Sequence, residues 1–341
     1  MKIKFWGVRG SLPAPSQTAH LRDKLTPILA AAQGRPLDSR PRIEEFLAGL
    51  PPHLTHLVGA NTPCVEVISP KAHLILDAGS GLRNLGLHLS GRRAFSENNL
   101  YLALEKGRTV QDFAAAPPAE GPLDLTVLIS HTHWDHIQGF PFFAPAFGAG
   151  NKLTFYGMDG LWLREALERQ QLPPRLFPIP LAGMAAEMSF HSFPSGGLQV
   201  GDLAISAFPL PHPGGCLAYR LSQGGHSLVY ATDYEFPNAE GDHAARFVEF
   251  TQGADLLISD TQYTHLESVA REGWGHSSSF IAMNLALRAG ARGFFLFHHD
   301  PEHSDAKLFD NLEKTRAHYR KLGGRGDMLI ELALEGLTVK I

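Results

Sequence analysis

Polar and apolar positions alternate through "KIKFW" (2–6) and then meet "GVRGS", a pattern that predicts a first strand and a turn. Residues 13–57 break the pattern. They are rich in proline and carry two weak helical runs, near 21–32 and 42–49, so a surface insertion is expected there. "CVEVIS" (64–69) and "HLILDAG" (73–79) predict a hairpin, and "SGLRNLGLHL" after them the start of a helix. Residues 90–122 form a second insertion, polar and irregular, ending "AAPPAEGP". The apolar run in "LDLTVLIS" (123–130) predicts a buried strand.

The second half is more regular. "KLTFYG" (152–157) is expected as a strand, with a helix at about 160–170 and a proline-rich link, "LPPRLFPIP", at 172–180. "LAISAFPL" (203–210), "CLAYRLS" (216–222) and "HSLVYATD" (226–233) predict paired strands, and the "QGG" between the last two is a hairpin turn in which glycine supplies positive φ. Beyond 241, helices at 241–252, 277–289 and 305–320 are interleaved with the strands "DLLISD" (255–260) and "GFFLFHH" (293–299). Hairpins first and helices between later strands favour two packed sheets with helices outside. The composition shifts are insertions, so one domain over 1–341 is expected.

Composition narrows the function classes. The chain has 341 residues, 44% hydrophobic and 19% charged, enough for a large core. A net charge of -4 supplies no basic field for binding nucleic acid in bulk. No window approaches the ~20 apolar residues of a membrane span, and "MKIKFWGVRGS" lacks the apolar stretch of a secretory signal. No membrane partner and a cytoplasmic, reducing setting are expected. Cys64 and Cys216 lie in apolar runs without a CxxC pair, which suits small buried hydrophobes better than a disulfide or zinc knuckle.

The candidate chemistry sits where the strand at 123–130 ends. "SHTHWDH" crowds His131, His133, Asp135 and His136 into one turn. Residues two apart in an extended segment point the same way, so His131 and His133 can bind one metal. Asp135 and His136 follow the turn and can face a second. Imidazole and carboxylate suit zinc and its borderline neighbours. Further ligands are expected at other strand ends: His212 in "PLPHPGG", Asp233 in "YATDYE", and His298 or His299 in "FLFHHDP".

These residues together resemble the metallo-β-lactamase superfamily over nearly the whole chain. The match is to the branch of ribonuclease Z and cyclic-nucleotide phosphodiesterases, whose opening hairpin and first motif are similar to "GANTPCVEV" and "LILDAGSGLRNLG". The resemblance implies an αββα sandwich of two mixed sheets with two metals at one edge. It implies that His131, His133 and His212 hold the first metal, that Asp135, His136 and His298 hold the second, and that Asp233 bridges both. His298 aligns with the family's last histidine, leaving His299 to support it or touch substrate. Asp77 matches an aspartate that supports the ligand loop. Asp260 and His276, in "DLLISDTQYT" and "REGWGHSSSFIA", match a carboxylate and a His-Ser/Thr motif of ribonuclease Z-like enzymes.

The implied activity is hydrolysis of a small phosphodiester, such as a cyclic nucleotide, by a metal-bridging hydroxide, with Asp135 on the metal pair and His276, oriented by Asp260, protonating the leaving group. Zinc is the default metal, while manganese, iron, cobalt or nickel fit the same donors. The alternatives are RNA processing, hydrolysis of a carbonyl ester, thioester or lactam, and a non-catalytic metal-binding module. No flexible glycine-rich basic arm for tRNA is visible. The insertions read as solvated surface, or else as a cap on the pocket or a homodimer contact. Trp134 and Phe140 to Phe143 are candidates for pocket walls.

Overall fold

The computed structural model describes residues 1–91, 100–103, 108–111, 121–236 and 239–341. The opening alternation becomes β1 (Lys2–Gly7), followed by the inserted helices α1 (Thr18–Ala32), α2 (Arg40–Ala48) and α3 (Pro52–Thr55). Then come β2 (Cys64–Ile68), β3 (His73–Leu76), α4 (Gly81–Leu89), β4 (Leu100–Ala103), β5 (Arg108–Gln111), β6 (Asp124–Leu128), α5 (Trp134–Ile137), β7 (Lys152–Gly157), α6 (Gly160–Gln170) and β8 (Glu187–Ser192). The remainder runs β9 (Leu198–Val200), β10 (Leu203–Leu210), β11 (Cys216–Gln223), β12 (His226–Ala231), α7 (Asp242–Thr251), β13 (Leu256–Asp260), α8 (His265–Ala270), α9 (Ser279–Arg288), β14 (Gly293–Phe297), α10 (Asp305–Lys321), β15 (Leu329–Leu332) and β16 (Thr338–Lys340).

Among the described residues these strands make two mixed sheets. One has nine strands in the order β5-β4-β16-β1-β2-β3-β6-β7-β8, and the other has seven in the order β15-β14-β13-β12-β11-β10-β9. Alternation decides what each face meets. Ile3, Phe5, Val65, Val67, Leu74 and Leu76 point into the core between the sheets, where Phe5 stacks on Phe295 at 5.9 Å. Trp6, Ile75, Val127 and Phe155 point the other way, into a second core under α4 and α6 with Leu82, Leu85 and Leu163. α9 packs on β13 and β14 and α10 on β15 at the far face. Both sheets are thereby covered on both sides, as a helix–sheet–sheet–helix sandwich requires.

The expected hairpins and later helices are present. Gly224 (φ 57°) and Gly225 (φ 87°) turn β11 into β12, because a tight two-residue hairpin of this hand needs positive φ at both positions. The 13–57 insertion lies on the surface with no buried residue in α1, and Lys24 ties it down by donating to the carbonyls of His53 and His56 and pairing with Asp305 at 2.8 Å. Three expectations need correction. The 90–122 insertion, read as irregular, contributes the antiparallel pair β4–β5 to the edge of the larger sheet, and its remainder lies outside the described residues. Strands β8, β9, β15 and β16 and helix α8 were not expected, since they are short and most are half exposed, which blurs their periodicity. Phe140 and Phe143 are fully buried packing residues of the second core, whereas Trp134 and Phe142 are exposed.

Candidate metal centre

Parallel pairing sets where the site lies. β3, β6, β7 and β8 run parallel in one sheet, and β12, β13, β14 and β15 in the other, so the carboxyl ends of each set share an edge. Asp77 follows β3, the "SHTHWDH" turn follows β6, Asp233 follows β12, Asp260 ends β13 and His298 follows β14, while His212 follows β10. Among the described residues, the non-glycine residues with positive φ are Ser11, Asp77, Asp233 and His298, between 53° and 61°. Each costs backbone energy that the surrounding structure must sustain, and such strain collects at functional sites.

Two clusters result. One ligand atom each from His131, His133, His212 and Asp233 lies within 4.8 Å of the others, and the same holds for Asp135, His136, Asp233 and His298. Asp233 belongs to both. The hydrogen bonds fix which ring nitrogen carries a proton. Ser130 Oγ donates to Asp77 Oδ2 at 2.8 Å, so it can only accept from His131 Nδ1 at 3.1 Å. His136 Nδ1 donates to Asp77 Oδ2 at 2.8 Å, and His212 Nδ1 donates to the Gly275 carbonyl at 2.8 Å. The Nε2 lone pairs of all three are left facing the cluster, those of His131 and His136 buried and without a hydrogen-bond partner.

Buried lone pairs turned toward one another are repulsive unless a cation sits between them, so the donor set fits divalent metal ions. The electrostatics of His131 and the two carboxylates agree, whereas for His136 burial opposes charge but Asp135, Asp233 and Asp77 outweigh it and raise its pKa well above the ordinary range, a pull that a cation among the carboxylates would offset. Burial and the neighbouring His136 hold His131 well below the ordinary histidine range. Burial opposes charge on Asp233 and Asp135, yet the surrounding histidines keep both carboxyls well below the carboxylate range. Both are thus anionic at neutral pH, as metal ligands must be.

Asp77 is the buried hub behind this cage. It accepts from the Ser130 backbone N–H at 2.7 Å, from Ser130 Oγ, from His136 and from the Tyr230 hydroxyl at 2.7 Å. Ser11 donates its backbone N–H to Asp135 Oδ2 at 2.8 Å. Ser11, Ser130 and Tyr230 were not picked out from the sequence. The "GVRGS" turn was the available signal for Ser11, whereas nothing local marks Tyr230.

His276 stands beside the clusters. Its Nδ1 donates to Asp260 Oδ2 at 2.9 Å, and a ligand atom from each of Asp233, Asp260, His276 and His298 lies within 4.8 Å of the others. Burial disfavours its charge, but Asp260 outweighs burial and raises its pKa to about 9. The cap of α9 is Ser278, whose Oγ accepts from Ile281, so His276 is free of that duty. His299 does not join the site. Its Nε2 donates to the Ala333 carbonyl at 3.0 Å, and burial followed by the charge of Arg9 lowers its pKa to about 3. The expectation of a substrate contact is corrected: the positive φ at His298 turns that ring to the cluster and sends the next one into the core.

Comparison with known proteins agrees with this picture. A family model described as a beta-lactamase superfamily domain matches residues 106–299. A relative from Bacillus subtilis (strain 168), the probable metallo-hydrolase YhfI, is 30% identical over 210 residues, covering 58% of this chain and 76% of its own length. A ribonuclease Z from Synechococcus sp. (strain CC9311) is 26% identical over 236 residues, covering 52% of this chain and 70% of its own. Among solved structures, YhfI from Bacillus subtilis superposes with a TM-score of 0.58 at 20% identity, covering 99% of both chains. A diphosphatase of the PhnP family superposes at 0.56 and 16% identity, covering 100% of this chain and 97% of its own. No helix among the described residues is long and apolar enough to cross a membrane. The chain belongs to the beta-lactamase superfamily and is a metal-dependent hydrolase of the metallo-β-lactamase fold.

Proposed function

We propose that the chain is a dinuclear phosphodiesterase, a single domain with insertions, acting on a small phosphodiester such as a cyclic nucleotide. His131, His133 and His212 would hold one metal, Asp135, His136 and His298 the other, and Asp233 both, with zinc the first choice for these donors. When bound, the ions supply a nucleophile at neutral pH and offset the charge that develops on the phosphoryl oxygens. The observation that carries the reading is the Asp260–His276 pair at the cluster. Asp260 fixes the proton on Nδ1 and keeps the ring cationic, so Nε2–H is available to a departing oxygen. A phosphodiester needs that proton when an alkoxide leaves, and His276, charged at neutral pH, holds it in place.

Relatives named ribonuclease Z support RNA as a second substrate class. The net charge of -4 counts against a large polyanion, whose binding depends on many phosphate contacts. The test is a panel of bis-p-nitrophenyl phosphate, cyclic nucleotides, a short RNA, a thioester and a β-lactam with metal-replete protein. Turnover of the diesters and cyclic nucleotides is expected. Thioester or lactam turnover without diester turnover would overturn the proposal.

A further inference from the structure

We propose that the loop Arg271–Gly275 is a subsite for a flat aromatic group on the substrate, such as a nucleobase, with Trp274 as its stacking platform and Arg271 as its cation. The identity of the ester rests on the phosphodiesterase reading above; the subsite itself rests on the geometry of this loop and the exposed aromatic residues around the cluster.

The loop is built onto the cluster from both ends. The Glu235 carboxylate, two residues after Asp233, accepts from Gly273 N–H at 2.9 Å and from Gly275 N–H at 2.8 Å. The Gly275 carbonyl accepts from His212 Nδ1. Gly273 (φ 84°) and Gly275 (φ 87°) take a conformation that side chains resist, and a Cβ on Gly275 would lie 2.4 Å from His212 Nδ1. The "GWG" sequence therefore fixes Trp274 one residue from the His212 contact and two from His276.

Fixed in this way, Trp274 is nevertheless 62% exposed. An indole held in water by a rigid loop gives up the burial that a core position would provide, and a preorganised aromatic is what stacking recognition needs. The "SHTHWDH" turn repeats the pattern. Trp134, inside the "SHTHWDH" turn, is 71% exposed, and Trp162, 48% exposed, donates its Nε1–H to Thr132 in the same turn at 2.9 Å. Trp6 is the one tryptophan of four that is buried. Three exposed indoles thus belong to, or bond to, segments that carry cluster residues.

Charge accompanies the ring. The Arg271 guanidinium lies 4.9 Å from the Tyr263 ring centroid, and Tyr263 meets His276 edge-on at 5.8 Å. A cation stacked there is one ring removed from His276, where it can meet a phosphate oxygen or the electron-rich face of a base.

The test compares adenosine 5′-monophosphate with ribose 5-phosphate as competitive inhibitors of bis-p-nitrophenyl phosphate hydrolysis by the metal-loaded protein. The two share the phosphate and sugar and differ by the base. The nucleotide is expected to bind about 5- to 150-fold more tightly, the worth of one stacked base. Trp274→Ala is expected to erase that gap while leaving the ribose 5-phosphate constant unchanged, and Trp274→Phe to retain most of it. Equal constants in the wild type, or a gap that survives in Trp274→Ala, would overturn the proposal. If the protein turns over no diester, calorimetric titration of the same two ligands reads the same gap, so loss of the phosphodiesterase reading and loss of the subsite are separate results.

Discussion

Replacing Asp77 by asparagine tests how the cage is held. Asp77 is fully buried and accepts four hydrogen bonds, all on a backbone with φ 60° that asparagine also tolerates. The amide retains an acceptor for Ser130 N–H at the Oδ1 position. At the Oδ2 position it places an NH2 against Ser130 Oγ, Tyr230 and His136 Nδ1. The two hydroxyls can rotate and accept. His136 can only accept by moving its proton to Nε2, which then faces the second cluster with a proton in place of a lone pair. Turning the amide over does not help, because its NH2 would then meet a backbone N–H that cannot change. Disturbing a partner behind a metal-bound histidine typically costs 10–100-fold in metal affinity, or about 1.4–2.7 kcal/mol. Asp77→Ala removes the acceptor altogether, and leaving its buried donors unpaired is expected to destabilise the metal-free fold by about 3–5 kcal/mol. Competition with a chromophoric chelator would measure the first effect, and chemical denaturation of the metal-free protein the second. A folded Asp77→Asn protein that binds both metal equivalents with wild-type affinity would refute the tautomer argument.

Four further outcomes are expected. His276→Ala and Asp260→Asn should lower kcat by about 10²–10⁴ for a diester with an alkoxide leaving group, and far less for p-nitrophenolate, which departs without a proton; equal losses on both would remove the proton-donor role. Because the His276 pKa is raised above its ordinary value to about 9, the active protonated form is nearly full below about pH 8 and is lost as pH rises through 9. The pairing's stability contribution is full below about pH 6.5, the unfolded value, and is lost between there and about pH 9, and Asp260→Asn should shift the alkaline limb of the rate profile downward. His299 has the opposite sign: lowered to about 3, it stays neutral in the fold while the unfolded chain takes a proton, so its contribution is full above about pH 6.5 and falls toward pH 3 by up to about 1.4 kcal/mol per unit. His299→Gln, still able to donate to Ala333, should flatten that part of the acid-denaturation slope of the metal-free protein. Gly10→Ala would place a Cβ 2.5 Å from His298 Nδ1 and 2.9 Å from Gln262 Oε1, and should cost one metal equivalent, read by metal analysis, while the fold persists.

Much of the fold was legible because burial imprints periodicity. Strands such as β7, β10 and β13 carry apolar runs or alternations long enough to read, and glycine and proline punctuate them. β8 and β9 left no such imprint, since neither contains a buried residue. The "SHTHWDH" turn was legible for a local reason: spacing by two after a strand sets two rings on one side. His212, Asp233 and His298 could be nominated as strand-end residues, but their meeting depends on which strands run parallel, and pairing partners are chosen by contacts between segments far apart in sequence. The same limit governs neighbours: His298 and His299 are equivalent as letters, and only the left-handed turn at His298 and the core behind His299 separate a cluster residue from a buried donor to Ala333. Phe140 and Phe143 illustrate it again, since an apolar cluster beside a site is ambiguous until the second core claims it. Local chemistry is written residue by residue in the chain, whereas convergence and orientation are properties of long-range packing, and in this protein packing decides which lone pairs face one another.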